Sequence, residues 1–263
     1  MTAPLPAEWQ LPSFDTKEIG AKLHRYALVV PVINEGDRIR GQLARTKAEN
    51  LPVDVIVADG GSTDGSLDLV FLQSVGVRAL LTKTGAGKLS AQLRMAYAWC
   101  LEQGYDGILT IDGNGKDGLG AVRDMVARLE AGDDYVQGSR YMAGGLAENT
   151  PLERTIANRG IHAPVLSLAG RHWFTDTTNG FRAYSRAYLL HPKVQPFRDV
   201  FMRYELLFYL TVRAGQLGLR VSQVPVQRSY PTNAATPTKI AGWRGKVEIL
   251  RQTFAAALGR YAP

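Results

Sequence analysis

From Tyr26 onward, short apolar runs alternate with longer stretches whose apolar residues fall at helical spacing. The runs Tyr26–Val30, Val53–Ala58, Val77–Leu81, Gly107–Ile111 and Tyr135–Gln137 have strand length and many β-branched residues. Between them, Asp37–Glu49, Ser66–Val75, Lys88–Gln103 and Leu119–Ala131 read as helices. Strands alternating with helices predict a mostly parallel sheet covered on both faces. Gly104 stands where a left-handed residue would end the third helix. Beyond about residue 140 the order loosens. Leu152–Ala169, Met202–Ala214 and Trp243–Leu258 read as helices, and Gly180–Tyr184 and Arg220–Val226 as strands. The Gly- and Pro-containing stretches Met142–Pro151 and Tyr230–Pro237 read as mobile loops and lid candidates. Residues 1–25 form an N-terminal arm that packs or frays, residues 26–240 a main domain, and residues 241–263 an amphipathic C-terminal helix.

Composition narrows the class. A chain of 263 residues with 45% hydrophobic and 21% charged residues suits a soluble globular protein with a sizeable core. The net charge of +7 favours an anionic partner. No recognised nucleic-acid module accompanies it, so nucleic acid is not an expected partner. The single cysteine, Cys100, shares an apolar helical pattern with Leu89, Leu93 and Tyr97 and reads as core. One cysteine excludes an internal disulfide and a Cys-based metal site. The first residues lack the pattern of a signal peptide, and no run reaches the length of a membrane span. A reducing, cytoplasmic location is the expectation.

Chemistry concentrates where strands end. VIVADGGSTDG (55–65) ends a strand in Asp59, and GILTIDGNGKD (107–117) ends another in Asp112. In open α/β sheets ligands sit outside the carboxyl ends of the strands, so these acids suggest a nucleotide site, a metal site, or both. Pro31, Asn34 and Glu35 in PVINEGDRI follow the first strand, where they contact a nucleoside or simply start a helix. Asp59 favours a ligand, whereas Ser62 and Asp64 favour helix capping. KTGAGKLSAQ (83–92) lacks the spacing of a phosphate-cradling loop. Lys88, at a helix start, either meets an anion or is simply solvated. In DGNGKD, Asp112 and Asn114 offer oxygen to Mg2+ or Mn2+, and Asp117 is a further ligand or a cap. Arg140 and Arg182 suit phosphate, although Arg182 could equally pair within the fold. Glu205, on an apolar helix, needs a partner or a function.

In order and spacing, PVINE, ADGGSTDG, GAGK, IDGN, GSRYMAGG, NRGIHAPVLSLAG, DTTNGFRAY, YELL and VPVQRSYP with TKI resemble the family 2 glycosyltransferases. Within them, the resemblance is to the dolichol-phosphate mannosyltransferase-like branch. It implies a GT-A fold, with a single Rossmann-like, mostly parallel sheet flanked by helices. It implies inverting transfer from a GDP- or UDP-linked sugar to a polyprenyl phosphate or a glycan intermediate. By resemblance, Pro31, Asn34, Glu35 and Asp59 contact the nucleoside. Asp112, Gly113 and Asn114 stand at the D-x-D metal motif, and Arg140, Asp176 and Arg182 line the sugar and acceptor side. Lys88, Arg228 and Lys239 meet the phosphates. Asn114 replaces the second acid of the motif, which weakens the metal or shifts ligation to Asp117. A hydroxyl acceptor needs a general base, Asp176 or in reserve Glu205, whereas a phosphate acceptor needs none.

Trp243, Val247, Leu250, Phe254 and Leu258 fall on one stripe flanked by Arg244, Lys246 and Arg251. Such a helix packs on its own domain or lies peripherally on an anionic membrane face. Two other functions stay open at this point. A nucleotidyltransferase that makes the sugar nucleotide shares the nucleotide and metal binding. A scaffold protein binds nucleotide sugar without turnover.

Overall fold

The computed structural model describes Pro6 and residues 8–230 and 242–263. In chain order, the first half holds β1 (Phe14–Glu18), β2 (Tyr26–Val32), α1 (Asp37–Ala48), β3 (Asp54–Asp59), α2 (Leu69–Ser74), β4 (Val77–Lys83), α3 (Leu89–Glu102), β5 (Gly107–Thr110), α4 (Ala121–Glu130) and β6 (Tyr135–Ser139). The second holds β7 (Leu146–Glu148), α5 (Leu152–Ala157), a π-helical turn (Asn158–His162), α6 (Ala163–Gly170), β8 (Arg182–Ser185), α7 (Arg186–Leu189), α8 (Glu205–Gln216), β9 (Val221–Pro225), β10 (Gln227–Ser229) and α9 (Gly242–Ala257).

The main sheet has eight strands in the order β1-β4-β3-β2-β5-β8-β6-β9. β4, β3, β2 and β5 are mutually parallel, as are β6 and β9. β8 is antiparallel to both β5 and β6 and joins the two parallel blocks. Every residue of β2 and β3 is buried, as expected of parallel strands covered on both faces. Alternate residues feed two cores. Val29, Ile56 and Leu81 face α3 and α8, while Leu28, Val57 and Leu80 face the side of α1 and α4. The helix α3 is buried nearly all round, because it lies between the sheet and α8. Cys100 sits inside it, and burial pushes its thiol far up.

Several sequence expectations are corrected. Part of the N-terminal arm is a strand: β1 pairs antiparallel with β4, and Trp9 stacks on Phe197 with ring centroids 4.0 Å apart. β1 is exposed on most positions, so its apolar signal is weak. The stretch Met142–Pro151 is not wholly loop, since β7 pairs in parallel with β10. The Tyr230–Pro237 stretch lies outside the described residues apart from Tyr230. The single helix expected over Leu152–Ala169 is interrupted by the π-helical turn. Pro164 has no N–H to give a carbonyl one turn back, and the extra residue in the turn absorbs that defect.

α9 packs on α6 and α8 through Gln252, Thr253, Ala255 and Ala256. Its apolar stripe, Trp243, Val247, Phe254 and Leu258, is exposed rather than turned onto the domain. Among the described residues no helix is long and apolar enough to cross a membrane.

Candidate active site

The crevice opens where β5 leaves β2. β5 pairs with β2 only as far as Val29, and the next β5-facing position on β2 is Pro31, which has no N–H to continue a ladder. β5 therefore runs on into the Asp112 turn instead of pairing further. Gly113 passes close over β2, donating its N–H to the Pro31 carbonyl at 3.3 Å. A Cβ there would lie 2.7 Å from Val32 and 2.9 Å from the Pro31 oxygen, so only glycine fits. On the other flank, buried Gln92 of α3 donates from Nε2 to the carbonyls of Val32 and Ala58. It fixes the ends of β2 and β3 together, a role the sequence reading missed because Gln92 looked like an ordinary helix residue.

The turns after β2 and β3 are built from each other's side chains. The Asn34 N–H donates to Ser62 Oγ at 3.0 Å, and the Thr63 N–H to Asn34 Oδ1 at 2.8 Å. Asp64 accepts from the Gly36 N–H at 2.8 Å and from Ser66. These bonds hold its carboxyl below the usual range, chiefly through the Ser66 hydroxyl. Ser62 and Asp64 thus brace the neighbouring turn rather than cap α2, whose cap is Asp68. Asp59 is buried and accepts from the Ser62 N–H at 2.8 Å. Glu35 pairs with Arg38 at 2.8 Å. Lys88 precedes α3, where the N–H groups of Lys88 and Ser90 donate to Met202 and Arg203 carbonyls at 2.6 and 2.7 Å. Those amides are already committed within the fold, so a phosphate contact here would have to come from the Lys88 side chain.

The metal expectation meets a different arrangement. Arg228 of β10 donates to Asp112 Oδ2 at 2.9 Å and to Asp117 Oδ2 at 2.5 Å, bridging both carboxylates. Backbone bonds hold β10 in place: Gly118 N–H donates to Gln227 O and Ser229 N–H to Lys116 O, each at 2.9 Å. Burial alone would lower the Arg228 pKa, but Asp117 and Asp112 hold it well above the ordinary value. Asn114 Oδ1 accepts from the Lys116 N–H at 3.3 Å. Lys116 is itself buried, with its ammonium 4.9 Å from the centroid of the Tyr230 ring. Burial and Arg228 push its pKa down, while Tyr230 and Asp112 partly restore it. The other oxygen of Asp112 is hemmed in by Gly180, where a Cβ would lie 2.4 Å from it.

This donor set does not fit a divalent cation. Both carboxylates are bridged by the Arg228 guanidinium, Lys116 lies close by over the Tyr230 ring, and the third oxygen donor is a neutral amide. Among the described residues no group of three or more His, Cys, Asp or Glu side chains converges to hold a metal. Asp112 and Asp117, two of the expected Mg2+ or Mn2+ ligands, are engaged here by Arg228, and Asn114 by the Lys116 N–H.

The sugar and acceptor side also differs from expectation. Arg140 and Asp176 are both buried and form a two-pronged pair at 2.6 and 3.0 Å. The Asp176 carboxylate also accepts from the N–H groups of Arg140 and Thr178 and from the Thr178 hydroxyl. All of its acceptor capacity is therefore spent within the fold. Asn158 lies in the π-helical turn and binds the Asp176 segment: the Thr177 N–H donates to Asn158 Oδ1 at 3.1 Å. The sequence reading missed this residue because an unbroken helix was expected there. Arg182 is buried, and its donors go to the Asn179, Leu207 and Thr177 carbonyls and to Thr211. These bonds hold it within the fold, between β8 and α8. Glu205 accepts from the Arg203 N–H at 2.5 Å at the start of α8. Lys239 lies outside the described residues.

Tyr230, to which no sequence motif assigns a role, is the hub of this region. Arg154, Arg228 and Lys116 all approach its ring, and Arg154 donates toward its hydroxyl at 3.4 Å. Burial would raise its pKa, but Arg228 and Arg140 outweigh that and lower it. Three cationic side chains thus converge on one ring next to the crevice.

Comparison with known proteins places these features. Residues 27–191 match the model of the family described as Glycosyl transferase family 2. The chain is 27% identical over 207 residues to the polyprenol monophosphomannose synthase of Mycolicibacterium smegmatis, covering 77% of this chain and 76% of that one. It is 28% identical over 208 residues to the undecaprenyl-phosphate mannosyltransferase of Micrococcus luteus, covering 77% and 82%. The fold matches glucosyl-3-phosphoglycerate synthase from Mycobacterium tuberculosis, solved with Mn2+, UDP-glucose and phosphoglyceric acid. The TM-score is 0.64 at 19% identity, over 89% of this chain and 79% of that one. The architecture is that of the GT-A fold.

Proposed function

Since the chain belongs to glycosyl transferase family 2, we propose that it moves a sugar from a nucleoside diphosphate to a polyprenyl phosphate, inverting the anomeric carbon. The observation that carries the choice of acceptor is the state of the two candidate bases. Asp176, the first choice, is locked to Arg140, and Glu205 gives one oxygen to the Arg203 N–H at the start of α8. A hydroxyl acceptor would need a free base, whereas a phosphate oxygen arrives already anionic. Charge supports the same reading, because Arg154, Arg228 and Lys116 gather around Tyr230.

In this reading Pro31, Asn34, Glu35 and Asp59 frame the nucleoside at the ends of β2 and β3. Asp112 and Gly113 lie beside the diphosphate and sugar, with Lys88, Arg228 and Lys239 on the phosphates. Arg140 does not bind ligand directly but, with Asp176, fixes the wall of the acceptor side. An acceptor phosphate oxygen gives its electron pair to the anomeric carbon. The bond from that carbon to the diphosphate oxygen breaks, and its electron pair stays on the diphosphate. No proton moves, and the leaving group takes one further negative charge. The exposed stripe of α9 would rest against the membrane that holds the lipid acceptor.

The test offers labelled GDP-, UDP- and dTDP-sugars with undecaprenyl phosphate and, separately, with phosphoglyceric acid. Label extracted into organic solvent and released by mild acid is expected with the lipid phosphate. Transfer to phosphoglyceric acid with none to the lipid would reject the proposed acceptor.

A further inference from the structure

The disagreement between the donor set and a divalent cation has a chemical consequence. Asp112 and Asp117 carry two negative charges, and Arg228 and Lys116 carry two positive ones. A carboxylate pair holding one divalent cation would reach the same balance. Without substrate, adding a dication to the present set would leave it with two uncompensated positive charges. At an effective dielectric constant near 20, two unit charges 4 Å apart interact by about 4 kcal/mol, so this repulsion is not negligible.

We infer that Arg228 and Lys116 take the place of the metal, so that the nucleoside diphosphate is bound and its departing charge met by fixed side-chain cations. The inference rests on the reading of this crevice as a site for a nucleoside diphosphate sugar. Arg228 is positioned for the task by bonds on every side. Two carboxylates hold its guanidinium, and β10 is held to β7 on one flank and to Lys116–Gly118 on the other. Lys116 differs from an ordinary surface lysine. It is buried to 9% exposure, and its ammonium faces the ring of Tyr230 beside Asp112. Burying an ammonium is costly unless anions are nearby; Asp112 offsets part of that cost, and a diphosphate would offset more. Asn114 fits the same logic: a second carboxylate there would make the set net negative and favour a metal, whereas the amide keeps it neutral. As the bond to the anomeric carbon breaks, its electron pair moves onto the diphosphate oxygen. Arg228 and Lys116 then face the charge that develops, which is worth most in a site that excludes water.

The experiment is calorimetric titration of the metal-stripped full chain with GDP, UDP and dTDP, in EDTA and again with added Mn2+, alongside electron paramagnetic resonance of Mn2+. Binding of one diphosphate with the same affinity in both conditions is expected, with no Mn2+ signal from the protein complex. Lys116→Met is expected to weaken the bound diphosphate by about tenfold or more, the loss of one charge-assisted contact. It should also shrink the preference for diphosphate over the matching monophosphate, and Lys116→Arg should restore that preference. A merely structural lysine would leave the preference unchanged, and that result would overturn the inference. Binding that appears only with Mn2+, or stoichiometric Mn2+ held at Asp112, would overturn it while leaving the donor reading intact. Absence of binding by all three nucleotides in both conditions would remove the inference and the donor reading together.

Discussion

Arg140 and Asp176 are the pair whose meaning changed most between sequence and structure. Asp176 carries the type and position of a general base, yet both its oxygens are bonded and the residue is fully buried. Arg140→Met is expected to cost about 3–5 kcal/mol of stability, because it strands a buried carboxylate. Combining it with Asp176→Leu should recover much of that loss, measured as denaturant midpoints. If Asp176→Asn instead abolished transfer in a fully stable protein, the structural role would be wrong. At the crevice, Gly180→Ala would place a Cβ against Asp112 Oδ1 and push that carboxylate away from Arg228. Transfer should fall at least tenfold, about 1.4 kcal/mol in the barrier, with little change in melting temperature. The strand-end turns that carry Asp59 and Asp112 were legible in sequence because a strand followed by an acid and glycines is a local pattern. The Arg228 bridge was not, because its partners lie 111 and 116 residues away. Arg182 stays two-sided in sequence because a buried arginine satisfied by carbonyls looks the same there as one that binds phosphate.

At the scale of elements, the parallel block β2–β5 and its helices were readable because each buries a continuous or periodic apolar face. β7 and β10 were not, since each has three residues and owes its existence to the other. The same holds for the π-helical turn, which adds one residue to an otherwise normal helical pattern. That turn ends in His162, whose Nδ1 lies 2.8 Å from Thr253 Oγ1 on α9 and whose ring stacks on Phe208 of α8. Burial pushes its pKa down to about 4 from the ordinary 6.5. The folded state therefore keeps His162 neutral while the unfolded chain protonates it. Its contribution is complete above pH 6.5 and is lost as pH falls from there toward 4. The loss is at most about 3 kcal/mol across that window. Denaturant midpoints between pH 7.5 and 5 should fall more steeply for the natural chain than for His162→Gln. Equal slopes would remove His162 as the cause, and His172, which burial also lowers, would then be the next candidate.

For the whole molecule, charge and surface act together. The net charge is +7, the apolar stripe of α9 is exposed, and α9 is tied to α5 where Lys246 pairs with Glu153 at 2.7 Å. Trp243 is 70% exposed with Arg244 over its ring, and Leu152 of α5 is 73% exposed. The chain is expected to sediment with anionic vesicles at low salt and less at high salt, as screening weakens the charged contribution. Trp243→Ser with Val247→Ser should reduce vesicle binding at every salt concentration while leaving nucleotide binding unchanged. Binding that is unaffected by the double substitution would move the membrane contact elsewhere. The antiparallel strand β8 bears on how such a molecule is made. During synthesis β2 to β5 emerge early, yet the free edge of β5 stays unpaired until residues 182–185 leave the ribosome some 70 residues later. For that interval a nascent chain carries an apolar sheet edge with no partner, the kind of surface on which chains stick to one another. Yield in the cell should therefore depend on how quickly the stretch from Tyr135 to Ser185 is translated, and a fragment ending before β8 should aggregate rather than fold.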